Sequence, residues 1–234
     1  MDITKILTIV IPSFNEDECI YTTLDFISNQ KFNGKLNVII ADANSTDGTL
    51  KEITKAKSNF KNLSIKTIKG GYPAYGRLEG SKLVDTPYIL FLDADVFLTN
   101  PNTLVKCMKY DKDLLSVPFY TDFPYGWVFR VFDIFQFISS LIGTPFAIGG
   151  FQLWKTETYW SLGGYNPDEL FAEDYSLSHK VNPKNFKVVN LKGTYTSSRR
   201  FKKKGILWMF YIMIKSFLNR NNPEFFKQTH NYWS

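Results

Sequence analysis

Short apolar runs separated by polar turns set the rhythm of the first hundred residues. "ILTIVIP" (6–12), "KLNVIIAD" (35–42), "NLSIKTIK" (62–69) and "PYILFLDAD" (87–95) are brief and rich in β-branched residues, which predicts strands. Between them, "NEDECIYTTLDFISNQ" (15–30), "STDGTLKEITKAK" (45–57) and "PAYGRLEGSKLV" (73–84) predict helices. Asn15 is expected to cap the first of these, with acidic residues in its first turn, and Pro73 sits near the start of the third. Strands alternating with helices imply an α/β fold, a Rossmann-like, doubly wound, mainly parallel sheet with helices on both faces.

The rhythm loosens after Asp95. "NPNTLVKCMKYDK" (100–112) predicts a helix capped by Asn100, and "LLSVPFY" (114–120) a strand. The aromatic segment "YGWVFRVFDIFQFISSLIG" (125–143) places Trp127, Val131, Ile134, Phe135, Ile138, Leu141 and Ile142 on one wide helical stripe. That stripe suits the core and a membrane- or acceptor-facing surface equally. Near the carboxy terminus, "GILWMFYIMIKSFL" (205–218) is apolar but shorter than the roughly 20 residues that span a bilayer. It reads as an amphipathic helical extension over 201–234, following a main domain over 1–200 that divides into a nucleotide-binding half, 1–98, and an acceptor-binding half, 99–200. With the basic cluster "RRFKKK" before it, 199–218 suits peripheral membrane contact, and packing on the domain is the alternative.

Composition narrows the class. A chain of 234 residues, 44% hydrophobic and 21% charged, supports one sizeable core without a linker or repeat. The charge of +6 favours an anionic partner, yet only "SSRRFKKKG" (197–205) concentrates it, which suits a nucleotide phosphate or a lipid surface rather than nucleic acid. Two cysteines form no disulfide framework or metal cluster, and the amino terminus lacks a signal peptide's features. Both point to a reducing, cytoplasmic setting.

The chemistry gathers at strand ends. Asp93 and Asp95 follow an apolar run, where carboxylates are costly unless paired, hydrogen-bonded or bound to a cation. Further polar clusters occur at Ser13 to Glu16, at Asp42 to Asp47 and at Glu173–Asp174. In a parallel sheet the first strands' carboxyl ends share one edge, so these groups are expected to form a carboxylate-rich cleft that a divalent metal or cationic ligand stabilises. Asp47 also reads as a helix cap.

"IVIPSFNE", "ADANSTDGT", "GYPAYGRLEG", "LDADV", "GGFQLWKTETYWSLGGYN" and "AEDYSL" occur in an order and spacing that resembles glycosyltransferase family 2, over roughly residues 6 to 200. The resemblance implies a GT-A fold, a nucleotide-sugar donor, a Mn or Mg ion and inversion at the anomeric carbon. It implies that Pro12, Asn15 and Glu16 line the nucleoside pocket, that Asp42 approaches the base and that Arg77 faces the phosphates. Asp93 then meets the ribose or metal, Asp95 ligates the metal and Asp174 is the general base. Glu173, Gly149 and Gly150 fall on the acceptor side. Ala43 stands where many relatives carry a second aspartate, and "GRL" (76–78) where the family often has Ala-Arg-Asn.

The implied reaction transfers a sugar from a UDP- or GDP-sugar to a hydroxyl of a glycan or lipid-linked acceptor. Two other readings stand beside it. "LDADVF" partly resembles the Asp-x-Asp motif of phosphotransfer hydrolases, and a non-catalytic glycan- or membrane-binding module on a transferase scaffold is the third.

Overall fold

The computed structural model describes residues 2–122 and 124–230. Its centre is a seven-stranded sheet in the order β3-β2-β1-β4-β7-β6-β8. The first four strands, β1 (Leu7–Ser13), β2 (Leu36–Asp42), β3 (Leu63–Lys69) and β4 (Tyr88–Leu92), run parallel, Ile9 pairing with Val38 and with Leu90. They alternate with α1 (Ile20–Ser28), α2 (Thr49–Asn59) and α3 (Pro73–Ser81). A short β5 (Val96–Leu98) lies outside this sheet and later pairs with β9 (Thr194–Thr196). After α4 (Thr103–Cys107), the strands β6 (Leu114–Ser116) and β7 (Phe151–Lys155) flank α5 (Gly126–Leu141). Strand β7 runs antiparallel to both β4 and β6. Helices α6 (Thr156–Ser161) and α7 (Glu173–Ser178) precede β8 (Phe186–Val188), which is parallel to β6. The chain continues as α8 (Arg199–Lys204), α9 (Ile206–Leu218) and α10 (Pro223–Phe226).

Residue alternation along the strands explains the two faces. Ile9, Ile11, Val38 and Ile40 point into one core with Leu24 and Ile53 of α1 and α2. Their neighbours Val10 and Ile39 point into the other, with Phe91, Tyr159 and Leu177. A strand buried on both faces has no room for polar positions, which is why these segments read as continuous apolar runs. Close helix–strand approach also fixes Gly80 of α3, where a Cβ would lie 2.4 Å from Val10 Cγ1.

Several local expectations differ in detail. Asn15 does not cap α1, which begins only at Ile20; it adopts φ 53° and its side chain accepts from the Thr46 N–H at 2.9 Å. The side chain is drawn off to the neighbouring loop, and asparagine tolerates that backbone region better than most residues. The run 87–95 is a strand only to Leu92, and Asp93 to Asp95 form the turn into β5. The segment 100–112 yields a helix only over Thr103–Cys107, because Asn100 Oδ1 accepts the Asn102 N–H and shapes a turn ahead of it. The strand anticipated over 114–120 is confined to Leu114–Ser116. Asp47 lies one residue ahead of the cap position of α2, which is Gly48; its side chain accepts the Thr49 N–H at 2.9 Å and so shapes the helix entry without being the cap itself.

The carboxy-terminal helices continue the main core. Ile212, Phe225 and Phe226 are buried in the cluster that contains Ile9 and Leu24, and the Leu170 N–H donates to the Phe226 carbonyl at 2.8 Å. Among the described residues no helix is long and apolar enough to cross a membrane.

Candidate active site

A cavity of about 910 Å³ opens at the carboxyl ends of β1 and β4. Pro12, Asn15 and Glu16 reach it from the end of β1, Asp93 and Asp95 from the turn after β4, and Glu173 and Asp174 from the start of α7. Gly149, Gly150 and Arg77 complete the part of the wall foreseen from sequence. Asp42 stands behind this wall: it is buried, and its oxygens accept from Ser45 N–H at 3.0 Å and Ser45 Oγ at 2.6 Å. Ser45 Oγ in turn accepts the Asn15 N–H at 2.9 Å, so Asp42 shapes the loop that carries Asn15.

Arg77 is the hub of the deep end. Only 2% exposed, it pairs with Glu173 and, at 2.6 Å, with Asp93. Burial opposes its charge, but the carboxylates of Asp93 and Glu173 outweigh burial and hold it firmly protonated. The expectation from sequence set Arg77 toward phosphates and Glu173 toward the acceptor; the structure engages them with each other. A buried guanidinium needs such partners, since leaving its charge uncompensated costs several kcal/mol.

Asp174 lies beside this pair. Its Oδ2 accepts the Gly149 N–H at 2.7 Å and its Oδ1 the Tyr175 N–H at 2.8 Å. Burial, and then the negative charge of Glu173, push its pKa up to about 7, against the pull of Arg77 and the two N–H groups. Glycine suits this contact: a Cβ at position 149 would lie 3.0 Å from Asp174 Oδ2 and 3.3 Å from Arg77 Nη2, so a neighbour would have to shift. Ala172, just before Glu173, adopts φ 47°, a left-handed conformation uncommon for a residue with a side chain. Backbone strain of this kind concentrates where side chains must be aimed.

At the outer end, Arg199 of α8 donates to Glu16 at 2.6 Å and to Asp95 at 3.3 Å. Burial and the charge of Asp95 raise the Glu16 pKa to about 7, and Arg199 opposes the rise. Sequence reading set the basic cluster around Arg199 against a nucleotide phosphate or a lipid surface and gave no ion-pair partner within the chain, because Glu16 is 183 positions away. The apolar half of the cavity was also missed. Phe129, Phe132 and Phe146 face Met209, Ile212 and Met213 across it, so the inner sides of α5 and α9 continue the wall that begins with the carboxylates.

Residues 8–163 match the model of the family described as "Glycosyl transferase family 2". The chain belongs to glycosyl transferase family 2. Among family relatives, it is 28% identical over 110 residues to a poly(ribitol-phosphate) beta-glucosyltransferase of Bacillus spizizenii, a stretch covering 46% of this chain and 17% of that protein. It is 33% identical over 121 residues to a Methanococcus voltae dolichyl N-acetyl-alpha-D-glucosaminyl phosphate 3-beta-D-2,3-diacetamido-2,3-dideoxy-beta-D-glucuronosyltransferase, covering 47% of this chain and 37% of that one. Among solved structures, the mannosyltransferase PcManGT of Pyrobaculum calidifontis, in complex with GDP-Man and Mn2+, superposes with a TM-score of 0.67 at 19% identity over 89% of this chain and 64% of its own. TarS of S. aureus, residues 1–349 in complex with UDP-GlcNAc, gives 0.65 at 20% identity over 82% and 58%. The chain thus has the GT-A fold, and it spans less than two thirds of the length of each of these proteins.

Proposed function

We propose that this family 2 chain is a metal-dependent inverting glycosyltransferase that moves a sugar from a UDP- or GDP-sugar to a hydroxyl of a glycan or lipid-linked acceptor. The observation that carries the reading is the convergence on one cavity of Glu16, Asp93 and Asp95 at the sheet edge with Asp174 from α7. In this reading Pro12, Asn15 and Glu16 border the nucleoside and Asp42 supports their loop from behind. Gly149, Gly150 and Glu173 border the acceptor.

The carboxylates present fit a small hard cation, Mn or Mg, of the kind that binds through one or two carboxylates together with substrate phosphates. Asp95 and Asp93 would hold it, and among the described residues no cluster of three or more His, Cys, Asp or Glu is available to enclose it alone. The pull of Asp95 on the Arg199 guanidinium, 3.3 Å away, marks the place as one that attracts positive charge. When bound, such an ion supplies a Lewis acid to the departing diphosphate. Asp174 takes the proton of the attacking hydroxyl, and a pKa near 7 gives it basicity without leaving it fully protonated at neutral pH. The Gly149 N–H fixes the carboxylate plane, which aims the base. Attack from the side opposite the leaving group inverts the anomeric centre.

The apolar half of the cavity favours an acceptor with a lipid carrier over a free glycan. A cytoplasmic location belongs to this reading, with peripheral contact to the cytoplasmic face of a membrane through residues 199–218. The test is thermal stability against UDP, GDP, CDP and dTDP, each with and without Mn, for the native protein and Asp95→Ala. One nucleotide raising the midpoint only with metal, and not in the variant, supports the reading; no shift at saturation overturns the donor site.

A further inference from the structure

Helix α5 turns an apolar stripe away from the core. Trp127, Val131, Ile134, Ile138 and Leu141 recur at intervals of four, three, four and three. All are exposed, Ile134 at 57% and Leu141 at 70%. The opposite side of the helix is buried through Val128, Phe129 and Phe132, and the buried Gln136 accepts from Ser116 Oγ at 2.8 Å. The helix is therefore held on its scaffold by its inner side, which leaves the outer stripe turned to solvent.

Helix α9 repeats the arrangement. Leu207, Tyr211, Ile214 and Leu218 follow at four, three and four, with exposures from 54% at Ile214 to 86% at Leu207. The two helices meet through aromatic rings: Phe210 stacks against Trp127 at 6.3 Å and Phe132 at 5.9 Å, and Phe217 meets Phe135 edge-on at 6.1 Å. The two neighbouring helices thus each expose a row of large apolar side chains, a concentration that folded proteins seldom leave to water without a use.

Charge says what covers it. Residues 197–223 contain seven Lys or Arg and no Asp or Glu. Lys203 is exposed just before α9, Lys215 lies over the Tyr211 ring at 5.7 Å, and Arg130 of α5 has a side chain 58% exposed. The only acid of α5, Asp133, is turned inward with 16% of its side chain exposed. A second copy related by a two-fold axis would bring these cations against one another. A bilayer interface instead accepts apolar stripes among its acyl chains, aromatic rings at the boundary and cations at its phosphates.

We propose that the joint outer face of α5 and α9 seats in the interface of an anionic lipid bilayer, with Arg130, Lys203 and Lys215 at the headgroups. This extends the contact through 199–218 to a surface to which α5 also contributes, and it does not depend on the donor site. Where the transferase reading holds, the geometry has a consequence: the inner faces of the same two helices line the cavity with Asp174, so a bilayer-borne acceptor reaches the base without leaving the interface.

The full chain is floated with vesicles of phosphatidylcholine, with and without phosphatidylglycerol, in the absence of nucleotide and metal. Binding is expected only with phosphatidylglycerol, to weaken with salt, and to fall about tenfold or more in Ile134→Glu/Ile214→Glu and in Lys203→Glu/Lys215→Glu. These positions are at the surface, so an unchanged thermal midpoint separates lost docking from lost folding. Vesicle binding that the variants leave intact, absence of binding, or a dimer in sedimentation that Ile134→Glu/Ile214→Glu dissociates would each overturn the proposal. Nucleotide binding measured on the same preparations keeps that outcome apart from a failure of the donor site.

Discussion

Arg199 donates to Glu16 at 2.6 Å and to Asp95 at 3.3 Å, joining the helix that follows the last strand to both sides of the sheet's carboxyl edge. The guanidinium therefore competes with any cation for Asp95 and is also placed to meet a diphosphate. In Arg199→Gln the free protein is expected to bind Mn more tightly, because one competitor is gone. Turnover at saturating donor is expected to fall about tenfold or more, the value of a charge-assisted hydrogen bond to the leaving group. A Mn titration and a steady-state assay read the two effects, and equal Mn affinity in both proteins would show that Arg199 and the metal do not share Asp95.

Asp174 must be ionised to act as a base, so kcat/KM is expected to rise with pH through about 7 and level above it. Asp174→Asn removes the base while leaving the donor-side residues in place, and a loss of about 10²- to 10⁴-fold in kcat with donor affinity unchanged is expected. A pH–rate profile whose acidic limb survives in the variant would assign the limb to another group.

The same burial acts on stability with a definite sign. Glu16, Glu169 and Asp174 have pKa values raised to about 7, burial being the largest cause for each. The folded chain therefore binds more protons than the unfolded chain between pH 4 and 7, and stability falls as pH rises through that window. Thermal midpoints measured from pH 4 to 8 are expected to decline, and less steeply in Asp174→Asn. A flat response would mean that these carboxylates are better solvated than their positions imply.

The first four strands and their helices were legible because β1, β2 and β4 are buried along nearly their whole length, β3 alternates exposed with less exposed positions over its first half, and each helix buries one face, so burial writes itself into the residue pattern. The carboxylate cluster was legible for the opposite reason: Asp93 and Asp95 break an apolar run at a cost that only a function or a partner repays. Helix α5 shows the limit. Its stripe from Trp127 to Ile142 is regular, yet periodicity reports only that a face is apolar, and here most of that face turns outward while Phe135 of the same stripe packs inward with Phe129 and Phe132. The pairings of Arg77 with Glu173 and of Arg199 with Glu16 were not legible, since nothing local in the sequence selects a partner 96 or 183 positions away.

Gly149 provides a probe of aim without loss of charge. Its N–H holds Asp174 at 2.7 Å, and a Cβ would crowd both Asp174 and Arg77. Gly149→Ala is expected to fold, to bind nucleotide as before and to lose roughly 10- to 100-fold in kcat, the scale on which small misplacements act. Wild-type turnover in this variant would show that the carboxylate has room to move without losing its function.

Arg77, buried between two carboxylates, is placed to support stability. Arg77→Met leaves Asp93 and the buried Glu173 without their cation, which is expected to cost about 3–5 kcal/mol and to lower the midpoint by roughly 10 °C or more. Arg77→Lys should recover little, because one ammonium does not reproduce a guanidinium that spans two carboxylates in different directions. Adding Glu173→Gln to Arg77→Met removes the carboxylate most deeply stranded and should restore part of the loss, a coupling that denaturant unfolding of the two single variants and the double variant measures. Strict additivity would mean that the pair, although buried and adjacent, contributes to stability through independent contacts.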